Sequence, residues 1–407
     1  MRTDVRWAAI AAVCLVLGSC VAWSRWSHST NGRWSEKDAA AYLDGREATW
    51  SKWPTAARGQ GTFCVSCHTT LPYALSREAL SAALNEKVPS PEEQGLVADV
   101  KERVELWPKS SPYYRDLADE SRGTESVLNA LILATYDSRT GKLSPDTKQA
   151  FDEMWSTQKK TGSEKGAWSW LDFDSQPWEA GDSTYYGASL AAVAVGVAPE
   201  NYLHDPEIQE NLALLRDYLQ HAEESQIPIN RVALLWASTK LPGLLDRPEQ
   251  DAIIEEVLSK QRADGGWCLA ALVGSWKRED NTPLIMKSDG YATGFITYVL
   301  EESGYPQGDT HIKKALDWLV ANQTWWGGHW DSYSLNKRRH DPFSNVSQFM
   351  NDAATAYAVL ALTRAGGGAK AAATAKTSEI SSASMHLTSP LPARKGDVAS
   401  KTAGKTL

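Results

Sequence analysis

The stretch Gln261-Arg262-Ala263-Asp264-Gly265-Gly266-Trp267 decides the fold, because it is one copy of a phrase that recurs along the chain. Looser copies are Gln323…Gly328-His329-Trp330 and Gln158…Gly166-Ala167-Trp168. Glycine permits the left-handed turn that follows a helix C-terminus, glutamine can bond free helix-end groups, and tryptophan can pack over the joint. The chain has 18 Trp against 6 Phe, and the repeats favour a structural device over a cavity walled with indole rings.

Two kinds of helix alternate around these phrases. The segments that begin at Asp182, Asp289 and Asp352 open with a polar residue and continue small and apolar. Helices that are apolar nearly all round belong in an interior. Segments 250–261 and 311–322 are apolar along one stripe only, which is typical of an outer layer. Repeating pairs of this kind predict an all-α fold.

The repeated phrase resembles the QW repeat of the squalene cyclase and prenyltransferase superfamily. The resemblance covers residues 120–365 and implies an α/α toroid of inner and outer helices. We expect residues 24–119 to form an N-terminal helical segment that is integrated into this toroid rather than tethered to it. One fold can host many activities, so the resemblance is stronger evidence for fold than for function.

Parallel inner helices would open their N-termini on one rim of a toroid. That arrangement predicts Asp182, Asp289 and Asp352 around one mouth, with Tyr185 and Tyr186 just inside it. Carboxylates at positive helix ends are candidate acid–base or ligand-binding groups. The alternative interpretation is plain N-capping, for which aspartate is favoured on physical grounds alone.

The chemistry of the resembled families fits this chain only in part. Class II terpene cyclases protonate an alkene with the middle aspartate of a DxDD motif, and this chain has no DxDD. Prenyltransferase β-subunits hold zinc with Asp, Cys and His. The corresponding set here would draw on Asp264 or Asp331, Cys268, and His329 or His340. A terpenoid cyclase or isomerase therefore stays an alternative function.

The stretch Cys64-Val65-Ser66-Cys67-His68 has the form of a c-type haem attachment site. Two thiols three residues apart can bond both vinyl groups of one haem, and the adjoining histidine reaches the iron as an axial ligand. We therefore predict covalent haem c, with Cys64 and Cys67 as attachment residues and His68 as the metal ligand. The alternatives are a redox CxxC pair or half of a zinc site, for which the other cysteines are Cys14, Cys20 and Cys268.

The second axial position of such a haem is open to several interpretations. A small cytochrome c supplies a methionine some tens of residues later, whereas the first methionine after the start here is Met154. An open position would favour oxygen, peroxide or nitric oxide chemistry, and a filled one electron transfer. The candidates are a tyrosine or one of His204, His329, His340, Met286 and Met350.

The N-terminus carries the parts of an export signal. Basic residues near Met1 precede an apolar run over 7–17, and Gly18-Ser19-Cys20 follows. This pattern predicts a signal over residues 1–23. Leu17-Gly18-Ser19-Cys20 also resembles the bacterial lipobox, in which the cysteine is lipidated, and an uncleaved anchor over 7–23 is the other interpretation. Each version puts the body of the protein in the periplasm or outside the cell, attached to the membrane or released.

Composition limits the partners. The net charge is −8 without long charge runs, which argues against nucleic acid. Residues 366–407 contain few large apolar side chains and are predicted to be a disordered, low-complexity tail. We therefore expect an exported haem oxidoreductase with an apolar, isoprenoid-like small molecule or lipid in the toroid and a periplasmic redox partner. The alternatives are the cyclase named above and a non-catalytic electron-transfer or sensor protein.

Overall fold

The computed structural model describes residues 34–338 and 341–386, with side chains as far as Gly366. Within these ranges every regular element is a helix, apart from isolated bridges between Ala57 and Phe63 and between Ser175 and Glu179. The predicted all-α class is confirmed there. The proposed signal over 1–23, including Cys20, lies outside the described residues, as does His340.

The described ranges contain twelve α-helices of four or more residues. They are α1 Glu36–Trp50, α2 Thr70–Leu84, α3 Pro91–Glu105, α4 Ala118–Ser138, α5 Pro145–Ser156, α6 Ser183–Val197, α7 Gln209–His221, α8 Pro228–Lys240, α9 Arg247–Ser259, α10 Gly290–Glu302, α11 Thr310–Asn322 and α12 Asn345–His386. None of the helices in the described ranges combines the length and apolar character that crossing a membrane requires.

The helices alternate in burial. The odd-numbered ones bury one stripe, as α11 does with Ile312, Ala315 and Leu319. From α4 to α10 the even-numbered ones are buried over much more of their surface, and α6 buries every residue from 185 to 195. A side chain caps the start of most odd-numbered helices, since an oxygen there accepts an orphan N–H of the first turn. These caps are Ser35, Ser90, Ser144, Asp246 and Asp309.

The even-numbered helices pack on one another in chain order. Helix α2 contacts α4, α4 contacts α6, α6 contacts α8, and α8 contacts α10. The last step, from α10 to α12, depends on Gly294, where a Cβ would lie 2.5 Å from the backbone N of Ala358. Tyr291 and Tyr357 meet across the same interface with ring centroids 5.5 Å apart. The buried helices therefore form one continuous row.

The joint at Gln261 shows what the repeated phrase builds. The Gln261 side-chain amide donates to the carbonyl of Gly265 at 2.8 Å and to that of His311 on α11 at 2.9 Å. Gly265 has φ +93°, the left-handed conformation that glycine adopts without cost. The indole N–H of Trp267 donates back to the carbonyl of Val257 on α9 at 2.6 Å. The phrase thus ties one odd-numbered helix to the next.

The other two phrases make the same bonds. Gln158 donates to the carbonyl of Asn211 on α7, and Gln323 donates to that of Ser35, the cap of α1. The corresponding glycines and indoles behave alike: positive φ at Gly166 and Gly328, and bonds from Trp168 and Trp330 to the preceding helix. The third joint therefore links the last odd-numbered helix, α11, to the first.

The chain divides into two compact units, one ending at Arg364 and one beginning at Ala365. Residues 34–117 belong to the same unit as the repeats. The predicted disordered tail needs a correction, because the last helix continues to His386. Alanine, the best helix former, is common in 366–386 and suits this state. Residues 387–407 lie outside the described ranges.

Candidate haem-attachment site

The segment 64–68 lies between α1 and α2 and is fixed by its backbone. The N–H of Cys64 donates to the carbonyl of Ala56 at 2.9 Å. The indole of Trp50 donates to the carbonyl of Cys64 at 2.8 Å, and the N–H of Val65 donates to the hydroxyl of Tyr113 at 3.2 Å. The backbone of Cys64 and Val65 is therefore held in place by three other parts of the chain.

Both thiols are buried: Cys64 is 6% exposed and Cys67 1%. Burial raises the pKa of Cys64 to about 12, against the opposing charge of Arg58, and raises the pKa of Cys67 well above its usual value. A redox dithiol reacts, and zinc is bound, through thiolate, which this environment disfavours. The thioether of a c-type haem is neutral, so the surroundings suit it better than either alternative.

The ring of His68 is packed between aromatic side chains. Phe349 of α12 stacks on it with centroids 4.0 Å apart, and Trp50 meets it edge-on at 4.8 Å. Burial, together with the nearby Arg46, lowers the pKa of His68 to about 3. The imidazole is therefore neutral at physiological pH, which is the form that binds metals.

A hydrogen-bond chain fixes which nitrogen of His68 carries the proton. Asp352 accepts from Arg46 Nε at 2.7 Å and Tyr42 Oη at 2.8 Å, and the Thr69 hydroxyl donates to it at 2.6 Å. Since that hydroxyl already donates its hydrogen to the bond with Asp352, Thr69 Oγ1 accepts from the N–H at His68 Nδ1, 2.8 Å away. Nε2 then holds the lone pair. Such a carboxylate-linked histidine is the arrangement that orients metal ligands.

The residues of the 64–68 segment therefore fit a covalently attached haem. Two buried thiols, whose protonated form is favoured, precede a histidine whose Nε2 is available to bind iron. Three of the residues that hold His68 went unnoticed in the sequence: Thr69, Tyr42 and Arg46. Thr69 adjoins the motif and could have been suspected, but the other two lie on α1 and show no pattern of their own.

The proposed second axial ligands are scattered. His329 is buried, and both its ring nitrogens are hydrogen-bonded, to Thr324 and Asp331 at 3.2 Å each. His204 and Met286 are exposed, and Met350 is buried on α12. The engaged nitrogens make His329 the poorest candidate among these side chains.

The alternative zinc set is not assembled. Asp264 accepts from the N–H of Gly266 and from the hydroxyl of Ser288, as a turn-forming aspartate does. Cys268 is buried beside the tryptophan of its joint. In the part of the chain that the structure describes, no group of three or more His, Cys, Asp or Glu side chains is arranged to hold a metal ion.

Asp182 and Asp289 behave differently at their helix starts. Asp289 caps α10: its oxygens accept from the N–H groups of Leu269 at 2.6 Å and Ala292 at 3.0 Å, and from Ser332 Oγ at 2.9 Å. Burial raises the pKa of Asp289 to about 6, against these donors. Asp182 precedes α6 without capping it, and its carboxylate accepts from Gln176.

The expected position of Asp352 at a helix start is wrong. Helix α12 begins at Asn345, so Asp352 lies within it. Its neighbour Asn351 accepts from the N–H of Ser332, two residues after Trp330, just as Asp289 accepts from Leu269, two after Trp267. Asn351 is therefore the counterpart of Asp289. The shift of one residue turns Asp352 toward α1 and Thr69, and no hydrogen bond or ion pair joins it to Asp182 or Asp289 in the described structure.

The two candidate tyrosines face different surroundings. The Tyr185 hydroxyl donates to the carbonyl of Leu219 on α7 at 2.6 Å, so this residue joins two helices. The hydroxyls of Tyr186 and Tyr357 are buried, and neither has a hydrogen-bond partner of normal geometry. Both phenols lie near enough to Cys67 to interact with it electrostatically. Tyr185 therefore serves the framework, whereas Tyr186 lies in the buried interior where it interacts with Tyr357 and Cys67.

Glu179 is a further buried residue that interacts with the proposed attachment cysteines. It interacts electrostatically with both Cys64 and Cys67, and burial alone raises its pKa to about 7. A carboxyl group with that pKa can give or take a proton near neutrality. Its place in the tryptophan-rich stretch before α6 was visible in the sequence, but its proximity to the cysteines was not.

Comparison with known proteins adds no assignment: no protein-family profile matches the chain, and no curated protein aligns with it significantly.

Proposed function

We propose that this protein is an exported c-type haem protein. In this proposal Cys64 and Cys67 carry the haem, His68 is an iron ligand, and an α/α toroid holds an apolar small molecule beside it for redox or ligand-binding chemistry. The observation that supports this proposal most is the series of hydrogen bonds from His68 through Thr69 to Asp352, which links the CxxCH motif to the last buried helix.

The toroid part of the proposal is supported by the three equivalent joints. Gln158 and Gln261 each bond to the odd-numbered helix that follows in sequence, and Gln323 makes the same bond to Ser35 at the start of α1. A bond between the last and the first outer helix, identical in type to the others, is what a closed ring requires.

The haem part of the proposal is supported by the protonation states of His68 and of the titratable residues that interact with the cysteines. A bound haem would supply one-electron or small-ligand chemistry. Nδ1–H of His68 is committed to Thr69, which leaves Nε2 for the metal. Glu179, which interacts electrostatically with both cysteines, can hold or release a proton near neutrality, and the buried hydroxyls of Tyr186 and Tyr357 interact with each other without a hydrogen bond of normal geometry.

A terpenoid cyclase receives less support. Such an enzyme needs a carboxylic acid that delivers its proton to an alkene, and Asp289 instead accepts three hydrogen bonds as a helix cap. Burial raises the pKa of Asp352, and the paired Arg46 opposes that rise, so this carboxyl is engaged with a cation and with Thr69 rather than directed at a substrate. The proposed setting outside the cytoplasm, with membrane attachment through residues 1–23 and a periplasmic redox partner, follows from the sequence pattern.

The decisive experiment is a pyridine haemochrome spectrum of the full chain, produced in a host that matures c-type cytochromes. We expect one covalent haem per chain, and its complete loss in the double variant Cys64→Ala/Cys67→Ala. Cys268→Ala, which removes another buried cysteine, is the matched control and should keep the haem. A wild-type chain without covalent haem, or a double variant that retains it, would refute the proposal.

A further inference from the structure

A cleft of about 500 Å³ lies between the first turns of α12 and the segment after Trp330. Nothing in the proposed haem chemistry uses it. Its lining divides into a charged part and an aromatic part, and the two together define what it can bind.

The charged part is predominantly positive. Arg278, Lys337 and Arg338 line the cleft, against one carboxylate, that of Asp331. Arg278 is 4% exposed, and its Nη atoms donate to backbone carbonyls, at 2.7 Å to Pro283. Its Nε is buried and has no hydrogen-bond partner. Among the described residues this guanidinium makes no ion pair, so its positive charge in the cleft wall is available to attract an external anion.

The aromatic part is unusually exposed. Trp326 is 52% exposed and Phe343 70%, and their rings meet edge to face with centroids 5.6 Å apart. Leaving such large apolar side chains in water is unfavourable. An apolar group that entered the cleft would cover both rings.

We propose that this cleft binds an amphiphilic organic anion, with a carboxylate or phosphate head at Arg278 and an apolar body against Trp326 and Phe343. Lys337 and Arg338 attract the head group, and the aromatic pair selects for the body. The inference goes beyond the proposed haem function and holds whether or not haem is bound.

The test is calorimetric titration of the purified full chain with octanoate, octyl phosphate and neutral 1-octanol. We expect saturable binding of at least one anion at one site, weakened by salt, with 1-octanol at least tenfold weaker. The anion that binds more tightly identifies the head group. Equal binding of 1-octanol, or no saturable binding of either anion, would overturn the proposal.

Variants localise the binding to this cleft. Lys337→Gln/Arg338→Gln should weaken anion binding at least tenfold, and Trp326→Ala should weaken all ligands. Arg247→Gln removes a charge from an exposed residue of α9 outside the cleft lining and should change nothing. Arg278→Lys keeps the charge without Nε and should also weaken binding, with thermal melting as the check on folding. Unchanged affinity in the Lys337/Arg338 variant would place the anion elsewhere and end the proposal.

Discussion

Asp289 and Asp352 look equivalent in the sequence and differ in what they do. The carboxylate of Asp289 accepts hydrogen bonds from two backbone N–H groups and a serine hydroxyl, so its role is to cap α10. Asp352 is bound by side chains from α1 and by Thr69, so it connects three parts of the chain and reaches His68. The comparison teaches that the partners of a buried carboxylate, rather than its place in a repeat, separate a structural residue from one that serves a site.

The largest effect should come from removing the cation beside Asp352. Arg46→Ala leaves a buried carboxylate unpaired, and breaking such a pair costs about 3–5 kcal/mol. Arg247→Ala, which breaks an exposed pair with Asp251, should cost under about 1 kcal/mol. Urea unfolding of both variants measures the difference. Equal losses would mean that the Asp352 cluster contributes nothing special.

A second buried carboxyl group, on α1, makes no ion pair in the described structure. Its effect on stability should therefore depend on pH, which separates it from the Asp352–Arg46 pair. Glu47 of α1 is buried, neither of its oxygens has a partner of normal geometry, and burial raises its pKa to about 8. Because its folded pKa lies above the unfolded value of 4.5, its stabilising contribution is present at pH 4.5 and is lost as pH rises towards 8.

Glu47→Gln should remove this pH dependence. Relative to the variant, the wild type should lose roughly 3–4 kcal/mol of unfolding free energy between pH 5 and pH 8.5, at 1.36 kcal/mol per pKa unit. Urea titrations at several pH values measure it. Parallel pH curves for the two proteins would show that Glu47 is not held protonated.

The third prediction compares the two aspartates directly. Asp352→Asn presents an amide donor to Thr69, whose hydroxyl then donates to His68 Nδ1, so the proton of His68 should move to Nε2. Asp289→Asn should leave His68 unchanged and cost about 1–3 kcal/mol, since an amide cannot accept from all three donors. Nitrogen-15 NMR of protein prepared without haem reports the tautomer. A change of tautomer in both variants, or in neither, would contradict the hydrogen-bond chain.

The prediction with the smallest expected effect tests whether the ring of outer helices is closed. Gln261→Ala removes two hydrogen bonds within consecutive repeats. Gln323→Ala removes the equivalent bonds to Gly328 and Ser35 and a third, in which Gln323 Oε1 accepts from the N–H of Ser35. Each should cost about 1–2 kcal/mol, and Gln323→Ala should cost at least as much as Gln261→Ala. Thermal melting provides the measurement. A Gln323→Ala protein as stable as the wild type would show that the bond between α11 and α1 does not hold the structure together.

The sequence alone determined the helical class, the alternation of buried and half-buried helices, and the three joints with glutamine, glycine and tryptophan. Those features are local: a helix shows its burial in its own periodicity, and a turn shows its conformation in its own glycine. The CxxCH motif was equally readable, because its chemistry depends on three residues within five positions.

Only the tertiary structure decided which residues surround that motif. Asp352 lies 284 positions from His68 and one position from where the repeat pattern would place a cap, so neither its contact with Thr69 nor its ion pair with Arg46 could be inferred from spacing. The same holds for Glu179 beside the cysteines and for Arg278 in the cleft. Burial and distant partners set the protonation and availability of these groups, and both arise only when remote parts of the chain pack together.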